Sequence, residues 1–264
     1  MAVAWGVVVP VKRLALAKTR LSAYGDDHRR ELALAFAADV VAAALRVATV
    51  LVVTDDAEAA AVLSSLGARV TADDPDAGLN PALAHGADLL RSELATMGVA
   101  TLSADLPAMR STDLAEALAQ VGAGQRGFVA DVDATGTTLL AAGPGAELLP
   151  SFGGGSRNQH LLSGAFEIRA ALGLRRDVDT PDDLRAALRL GVGDRTRAAA
   201  RGIRPQVTVS EWRAGAGGTA LLDSGERVSL SADCLQGSSF RSLRAGQRLV
   251  AELHQGLAVR VELP

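Results

Sequence analysis

Each scarce residue type in this chain closes a route. Cysteine occurs once, at Cys234, so no internal disulfide can form and a thiolate metal cluster is excluded. Histidine occurs four times, at His28, His85, His160 and His254. These positions are too far apart for ligand spacing, and no catalytic triad is expected. Nothing near Cys234 predicts an activated thiolate. No apolar run approaches the roughly 18 residues of a membrane span. The first apolar run is broken by Pro10 and lacks a positive leader, so no signal peptide is expected. Net charge is −3, against the basic balance of a general nucleic-acid binder. A cytoplasmic protein with no membrane partner is the expectation. Lysine is the most telling shortage. The chain has two, Lys12 and Lys18, and arginine supplies the rest of its 27 basic residues. Both lysines fall in one early stretch, where a compact ammonium suits phosphate as a point charge. An ordinary solvated basic loop is the alternative.

Hydrophobic content of 48% over 264 residues allows a sizeable core and one or two domains. Apolar runs at 7–9, 49–54, 69–71, 99–103, 127–132 and 137–142 read as strands, with Pro10 ending the first. Helices are expected between them. One spans 28–46, capped by Asp26 and Asp27. The next runs from Asp55 and Asp56 to Leu66. A third spans 79–93, begun by Asn80-Pro81, and a fourth follows a Ser111 or Thr112 cap. A further helix starts near Asn158. Residues 177–179 read as a short strand or strand end, and 181–190 as a helix capped by Thr180. This alternation predicts an α/β domain with a mostly parallel sheet and ligands at the strand carboxyl ends. Residues 195–205 decay into Gly and Arg and read as a linker. Short alternating strands over 206–264 predict a small all-β barrel. The organisation is therefore 1–194, a linker at 195–205, and 206–264.

The chemistry-bearing residues lie in the loops at those strand ends. Asp105, in the run SADLP, follows a buried strand and suits a divalent cation held against a nucleotide. A turn-forming aspartate is the plainer reading. Asp177 and Asp179, in DVDTP, fall on one side of a short alternation and form a second acidic spot. Asp105 and Asp179 together suit a metal shared by two phosphoryl groups. Gly153, Gly154, Gly155 and Ser156 offer amides and a hydroxyl to an anion, helped by the start of the following helix. An ordinary loop is again the alternative.

The runs VKRLALAKTRL, SADLP, FVADVDATGTTLL, SFGGGSRNQHLLSGAFEI and DVDTPDDL occur in this order over residues 7–193. In order and spacing they resemble the phosphoenolpyruvate and 2-phospho-L-lactate guanylyltransferases of deazaflavin coenzyme F-420 biosynthesis. The resemblance implies a Rossmann-like nucleotidyltransferase fold and transfer of GMP from GTP to the phosphate of a three-carbon acid. Pyrophosphate leaves, and Mg²⁺ is the implied cofactor. Phosphoenolpyruvate, 2-phospholactate and 3-phosphoglycerate all remain open as the acid. By position, Thr137, Gly153 and Ser156 would bind the acid. Asp105 and Asp179, with Asp177 as rival, would hold the metal. Lys12, Lys18 and Arg20 match the nucleotide loop, with Lys18, Arg20 and Asp105 in catalytic roles. Asn80, in GLNPAL, would lie near the base or ribose. A nucleotidyltransferase of the same fold acting on a molybdopterin or a sugar phosphate is the alternative.

The final run SSFRSLRAGQRLVAELHQG resembles a cold-shock domain. The middle of that module departs from the pattern, with GGTALLD and RVSLSAD where aromatic strands belong. Only Trp212 and Phe240 remain for stacking, and residues 205–264 carry six arginines against six acids. A degenerate barrel with a structural or interaction role is expected, and nucleic acid is not. A nucleic-acid binder acting through this module is the reading from a different class. The sequence permits a homo-oligomer without indicating one.

Overall fold

The computed structural model describes residues 3–73, 78–93, 96–201, 204–223, 225–254 and 256–263. Valine builds its central strand. In β1 (Trp5–Pro10), Val7, Val8 and Val9 are fully buried, as a strand covered on both faces requires. Pro10 does not end the ladder early. It is the last strand residue, opposite Val53, and the next amide, Val11 N–H, donates to the Val53 carbonyl at 2.9 Å.

The basic stretch after β1, expected as a loop, holds two short 3-10 helices, Leu14–Leu16 and Thr19–Tyr24. Then follow α1 (Asp26–Ala44), β2 (Thr49–Val53), α2 (Ala57–Ser65), β3 (Arg69–Thr71), α3 (Leu79–Glu93) and β4 (Gly98–Leu102). Next come α4 (Ser111–Leu118), β5 (Arg126–Ala130), β6 (Thr137–Ala142), α5 (Ser156–Leu162), β7 (Phe166–Glu167), α6 (Leu172–Arg175), α7 (Pro181–Leu190) and α8 (Asp194–Arg201).

Local chemistry sets most of these boundaries. The Asp56 carboxylate caps α2, and Gly67 at φ +101° stops it. Thr180 and Asp183 cap α7 reciprocally, with Pro181 in the first turn. At α4 the cap lies one residue earlier than expected. Ser111 is already helical, and Asp113 accepts the Arg110 N–H at 3.0 Å.

The sheet order is β3-β2-β1-β4-β6-β5-β7. Six strands run the same way and β6 alone is reversed, pairing antiparallel with both β4 and β5. The mostly parallel α/β expectation holds. Strand alternation sends Val7 and Val9 to one core with Val41, Leu63 and Leu114. Val8 goes to the other, with Leu51, Leu83, Leu90 and Phe128.

Three expectations need correction. Residues 177–179 are not a strand, and the edge strand is β7. Residues 195–201 are not a linker but most of α8, whose Arg195 and Thr196 amides donate to the Asp39 carboxylate at 3.3 and 2.8 Å. Residues 202 and 203 of the expected linker lie outside the described residues. The chain also divides differently. One compact unit holds 1–17 and 30–198, and the other holds 18–29 and 199–264.

In the second unit, β8 (Gln206–Arg213), β9 (Gly217–Leu222), β10 (Arg227–Leu230), β11 (Arg248–His254) and β12 (Leu257–Glu262) close a barrel. Its order is β10-β12-β11-β8-β9, and only the β10–β12 pair is parallel. Val207, Val209, Ala220, Leu249 and Val261 fill it. Cys234 is buried there, and burial pushes its thiol above the ordinary range, so it is a packing residue. Among the described residues no helix is long and apolar enough to cross a membrane.

Gly86 seats α3 on the sheet. A Cβ there would stand 2.8 Å from Val8 Cγ1 and 3.2 Å from Val53 Cγ2. Gly86→Ala gains helix propensity of about 1 kcal/mol but overpacks two immobile valines at a cost of about 1–3 kcal/mol. Net destabilisation of about 1 kcal/mol is expected in urea unfolding. Increased stability would show that α3 shifts freely over the sheet.

Candidate active site

The carboxyl ends of the parallel strands share one sheet edge. The reversal of β6 adds that strand's first residue, Thr137, to the same edge. Here Lys12, Arg13, Leu16, Thr54, Asp55 and Asp73 line a cleft of about 290 Å³. Asp55 stands 3.7 Å from the Arg13 guanidinium and accepts the Asp73 N–H at 3.1 Å. Asp56 is spent on structure. Its carboxylate accepts the amides of Leu14, Glu58 and Ala59 at 2.8–3.1 Å. Burial works to raise its pKa, but those amides and Arg30 outweigh burial and hold it below the ordinary value. Lys12 therefore sits on a cleft with both charges in its walls. Lys18 and Arg20 belong to the second unit. Lys18 there takes a left-handed backbone, φ +53°, unusual for a residue with a side chain.

Asp105 and the DVD run come together through the backbone. The Val178 N–H donates to the Asp105 carbonyl at 3.0 Å. Val178 is fully buried, while its neighbours Asp177 and Asp179 are half-buried. Asp183 anchors the segment by accepting the Thr180 N–H and hydroxyl at 2.9 and 2.7 Å. Among the described residues no group of three or more His, Cys, Asp or Glu is arranged to hold a metal unaided.

The glycine turn lies over β6. Gly153 and Gly155 have φ of +136° and +71°, which favour glycine. A Cβ on any of Gly153, Gly154 or Gly155 would meet nothing within 4 Å, so the turn is open. The first amides of α5 are engaged within the chain. The amides of Ser156, Arg157 and Asn158 already donate to the carbonyls of Gly153, Thr135 and Gly155 at 3.1–3.2 Å. Among the described residues, no backbone carbonyl accepts from the amides of Gly153, Gly154 or Gly155. The donors available to an anion are thus the glycine amides themselves.

Beneath the turn, Ser156 Oγ donates to Thr137 Oγ1 at 3.2 Å. His160 bridges the two walls. Its Nδ1 lies 2.9 Å from Thr137 Oγ1, and its Nε2 accepts the Ser151 N–H at 3.1 Å. The ring is fully buried between Phe128 and Phe152, with centroids at 5.7 and 5.3 Å. Burial, with a contribution from Arg126, depresses its pKa to about 4. The structure thus brings Thr137, Gly153 and Ser156 together.

Asn80 is differently employed than expected. It lies inside α3 rather than capping it. Its Nδ2 donates to the Phe152 carbonyl at 3.0 Å, and its Oδ1 accepts the Phe152 N–H at 2.7 Å. Its amide holds the approach to the glycine turn. Asp131, at the end of β5, closes the β5–β6 turn by accepting the Thr135 and Gly136 amides at 2.9 and 2.8 Å. Sequence reasoning missed His160. The available signal was its spacing of four from Ser156, which puts both on one helix face. The side chain of His254 lies outside the described residues.

Three comparisons bear on this site. Residues 5–217 match the family model described as guanylyl transferase, CofC like. A phosphoenolpyruvate guanylyltransferase of Thermomonospora curvata is 57% identical over 201 residues, covering 74% of this chain and 88% of that protein. A phosphoenolpyruvate guanylyltransferase of Frankia casuarinae is 40% identical over 269 residues, covering 90% of this chain and 91% of that one. Among solved structures, a nucleotidyl transferase from Methanothermobacter superimposes with a TM-score of 0.50 at 21% identity. It covers 72% of this chain and 98% of its own length, a likeness of fold alone.

The depressed pKa of His160 has a sign that can be checked. Between about pH 6.5 and 4 the unfolded chain binds a proton that the folded chain refuses. Stability from this group is therefore full above pH 6.5 and is lost as pH falls toward 4, by about 3 kcal/mol at most. His160→Gln should remove that part of the pH dependence of urea unfolding. Parallel losses in both proteins would mean that His160 titrates normally.

Proposed function

Because the chain belongs to the family of CofC-like guanylyl transferases, we propose that it transfers GMP from GTP to the phosphate of phosphoenolpyruvate in coenzyme F-420 biosynthesis. The observation that carries this reading is the 57% identity to a phosphoenolpyruvate guanylyltransferase over 201 residues, 74% of this chain. A phosphate oxygen of the acid attacks the α-phosphorus of GTP, the bond to the β-phosphate oxygen breaks, and pyrophosphate leaves. An ionised phosphate is already a nucleophile, so the reaction asks little of a general base.

Roles follow from placement. The cleft beside Lys12 suits the nucleotide, with the ammonium on phosphate. The amides of Gly153, Gly154 and Gly155 and the hydroxyls of Thr137 and Ser156 suit the anionic acid. Asp105 with Asp179, or with its rival Asp177, suits Mg²⁺, since this ion favours one or two carboxylates plus substrate phosphates over a full protein cage. Two adjacent acidic segments joined at Val178 fit that donor set. Bound there, Mg²⁺ would neutralise phosphoryl charge. Lys18 and Arg20 keep the pyrophosphate roles implied by VKRLALAKTRL on sequence grounds alone.

The barrel is read as a degenerate cold-shock-like module with a structural or interaction role. Its five-stranded closure supports the barrel likeness, and its balance of arginine and acid supports a structural or interaction role over nucleic-acid binding.

The test is pyrophosphate release from GTP and Mg²⁺, with phosphoenolpyruvate, 2-phospholactate or 3-phosphoglycerate supplied separately. Phosphoenolpyruvate should support release. Chelation of Mg²⁺ should abolish it, and Asp105→Ala should lower it on the order of a hundredfold or more. Asp177→Asn and Asp179→Asn should separate the two candidates for second ligand by the Mg²⁺ concentration each needs. Release with none of the three acids from folded protein would overturn the assignment.

A further inference from the structure

Hydrogen positions around His160 can be deduced from its neighbours. Ser151 N–H is a donor with no alternative role, so His160 Nε2 must accept with a bare lone pair. A neutral ring that accepts at Nε2 carries its proton on Nδ1. That proton points at Thr137 Oγ1, 2.9 Å away. Thr137 Oγ1 also receives the Ser156 hydroxyl at 3.2 Å. Both lone pairs of Thr137 are then occupied, and its own proton is the one hydrogen of the group not consumed within it. Asn80 grips the next residue, Phe152, at both its amide and its carbonyl.

We infer that His160 and Asn80 are positioning residues for the acid substrate: His160 fixes the Thr137 hydroxyl as an outward donor, and the two side chains together fix the peptide that carries Gly153. The inference rests on the acid-site reading above. Two elements, α3 and α5, thus reach the same short segment from different sides. The glycines that follow have no side chains to anchor them, so residues 151 and 152 are where the turn can be held. Full burial keeps the ring neutral and its proton in place, and a chain of donors running in one direction polarises the last hydroxyl.

The test is steady-state kinetics of the full chain with His160→Phe, Asn80→Asp, Thr137→Val and the His160→Phe/Thr137→Val double variant. Phenylalanine keeps the ring packing with Phe128 and Phe152. Each single variant should raise KM for phosphoenolpyruvate about tenfold, the scale of one lost hydrogen bond, with KM for GTP within about twofold. The double variant should be no worse than the poorer single, because both remove the same donor. If Thr137→Val leaves KM for the acid unchanged, the acid-site reading fails and takes this inference with it. If Thr137→Val raises it and His160→Phe does not, the inference alone fails. A purely structural role for His160 would move both KM values and the active fraction together, which also overturns it.

Nitrogen NMR of the unaltered protein, labelled at histidine, tests the inference without any variant. One ring should carry its proton on Nδ1 at neutral pH and respond to phosphoenolpyruvate. A proton on Nε2, or a charged ring, overturns the assignment.

Discussion

β6 runs against the six other strands of its sheet, and the half of the site proposed to bind the acid depends on that reversal. In a wholly parallel sheet every strand would bring only its last residues to the working edge. The reversed strand brings its first one, Thr137, and lets β5 and β6 join by a tight turn. Asp131 folds that turn, and Arg175 clamps its base by donating to the carbonyls of Ala130 and Asp131 at 3.1 and 2.8 Å. Arg157 N–H then ties the start of α5 to the turn through Thr135. The glycine seat, its supporting hydroxyls and the buried imidazole follow from one antiparallel pairing.

Carboxylates divide the work of the first unit. Asp39, Asp56, Asp113, Asp131 and Asp183 accept backbone amides at helix starts or turns. Such bonds stabilise by roughly 1 kcal/mol each, and more where the carboxylate is partly buried. They tie each aspartate to a structural task. Between Asp105 and the segment of Asp177 and Asp179 the link is main-chain, from the Val178 N–H to the Asp105 carbonyl. Backbone pairing thus joins the two loops that carry the acidic residues of the proposed chemistry.

Much of this was legible in the chain. Apolar β-branched runs located the strands of both units, and Thr180-Pro181 located α7 to the residue. Reading failed where a side chain answered to something distant. Asn80-Pro81 has the form of a helix start, but Phe152, 72 residues away, claims the asparagine. His160 shows an uninformative spacing to the other histidines, because its partners are a threonine and an amide. α8 was hidden by its arginines and flanking glycines, and its first amides answer to Asp39, over 150 residues earlier. β7, two residues long, has no periodicity to detect. The grouping of residues 18–29 with the barrel segment is a tertiary fact that local pattern does not carry.

The glycine seat proposed for the acid constrains how such an enzyme can change its substrate. Three consecutive glycines contribute amides and no walls, with open space where each side chain would be. Amides read charge and distance. They do not read whether the carbon bearing the phosphate is planar or tetrahedral. A turn of this kind can therefore stay the same across enzymes that take different phosphorylated acids. Discrimination between an enol and an alcohol must then be written in the side chains that face the seat. Divergence in substrate would leave SFGGGS untouched and show itself in residues that carry no recognisable motif.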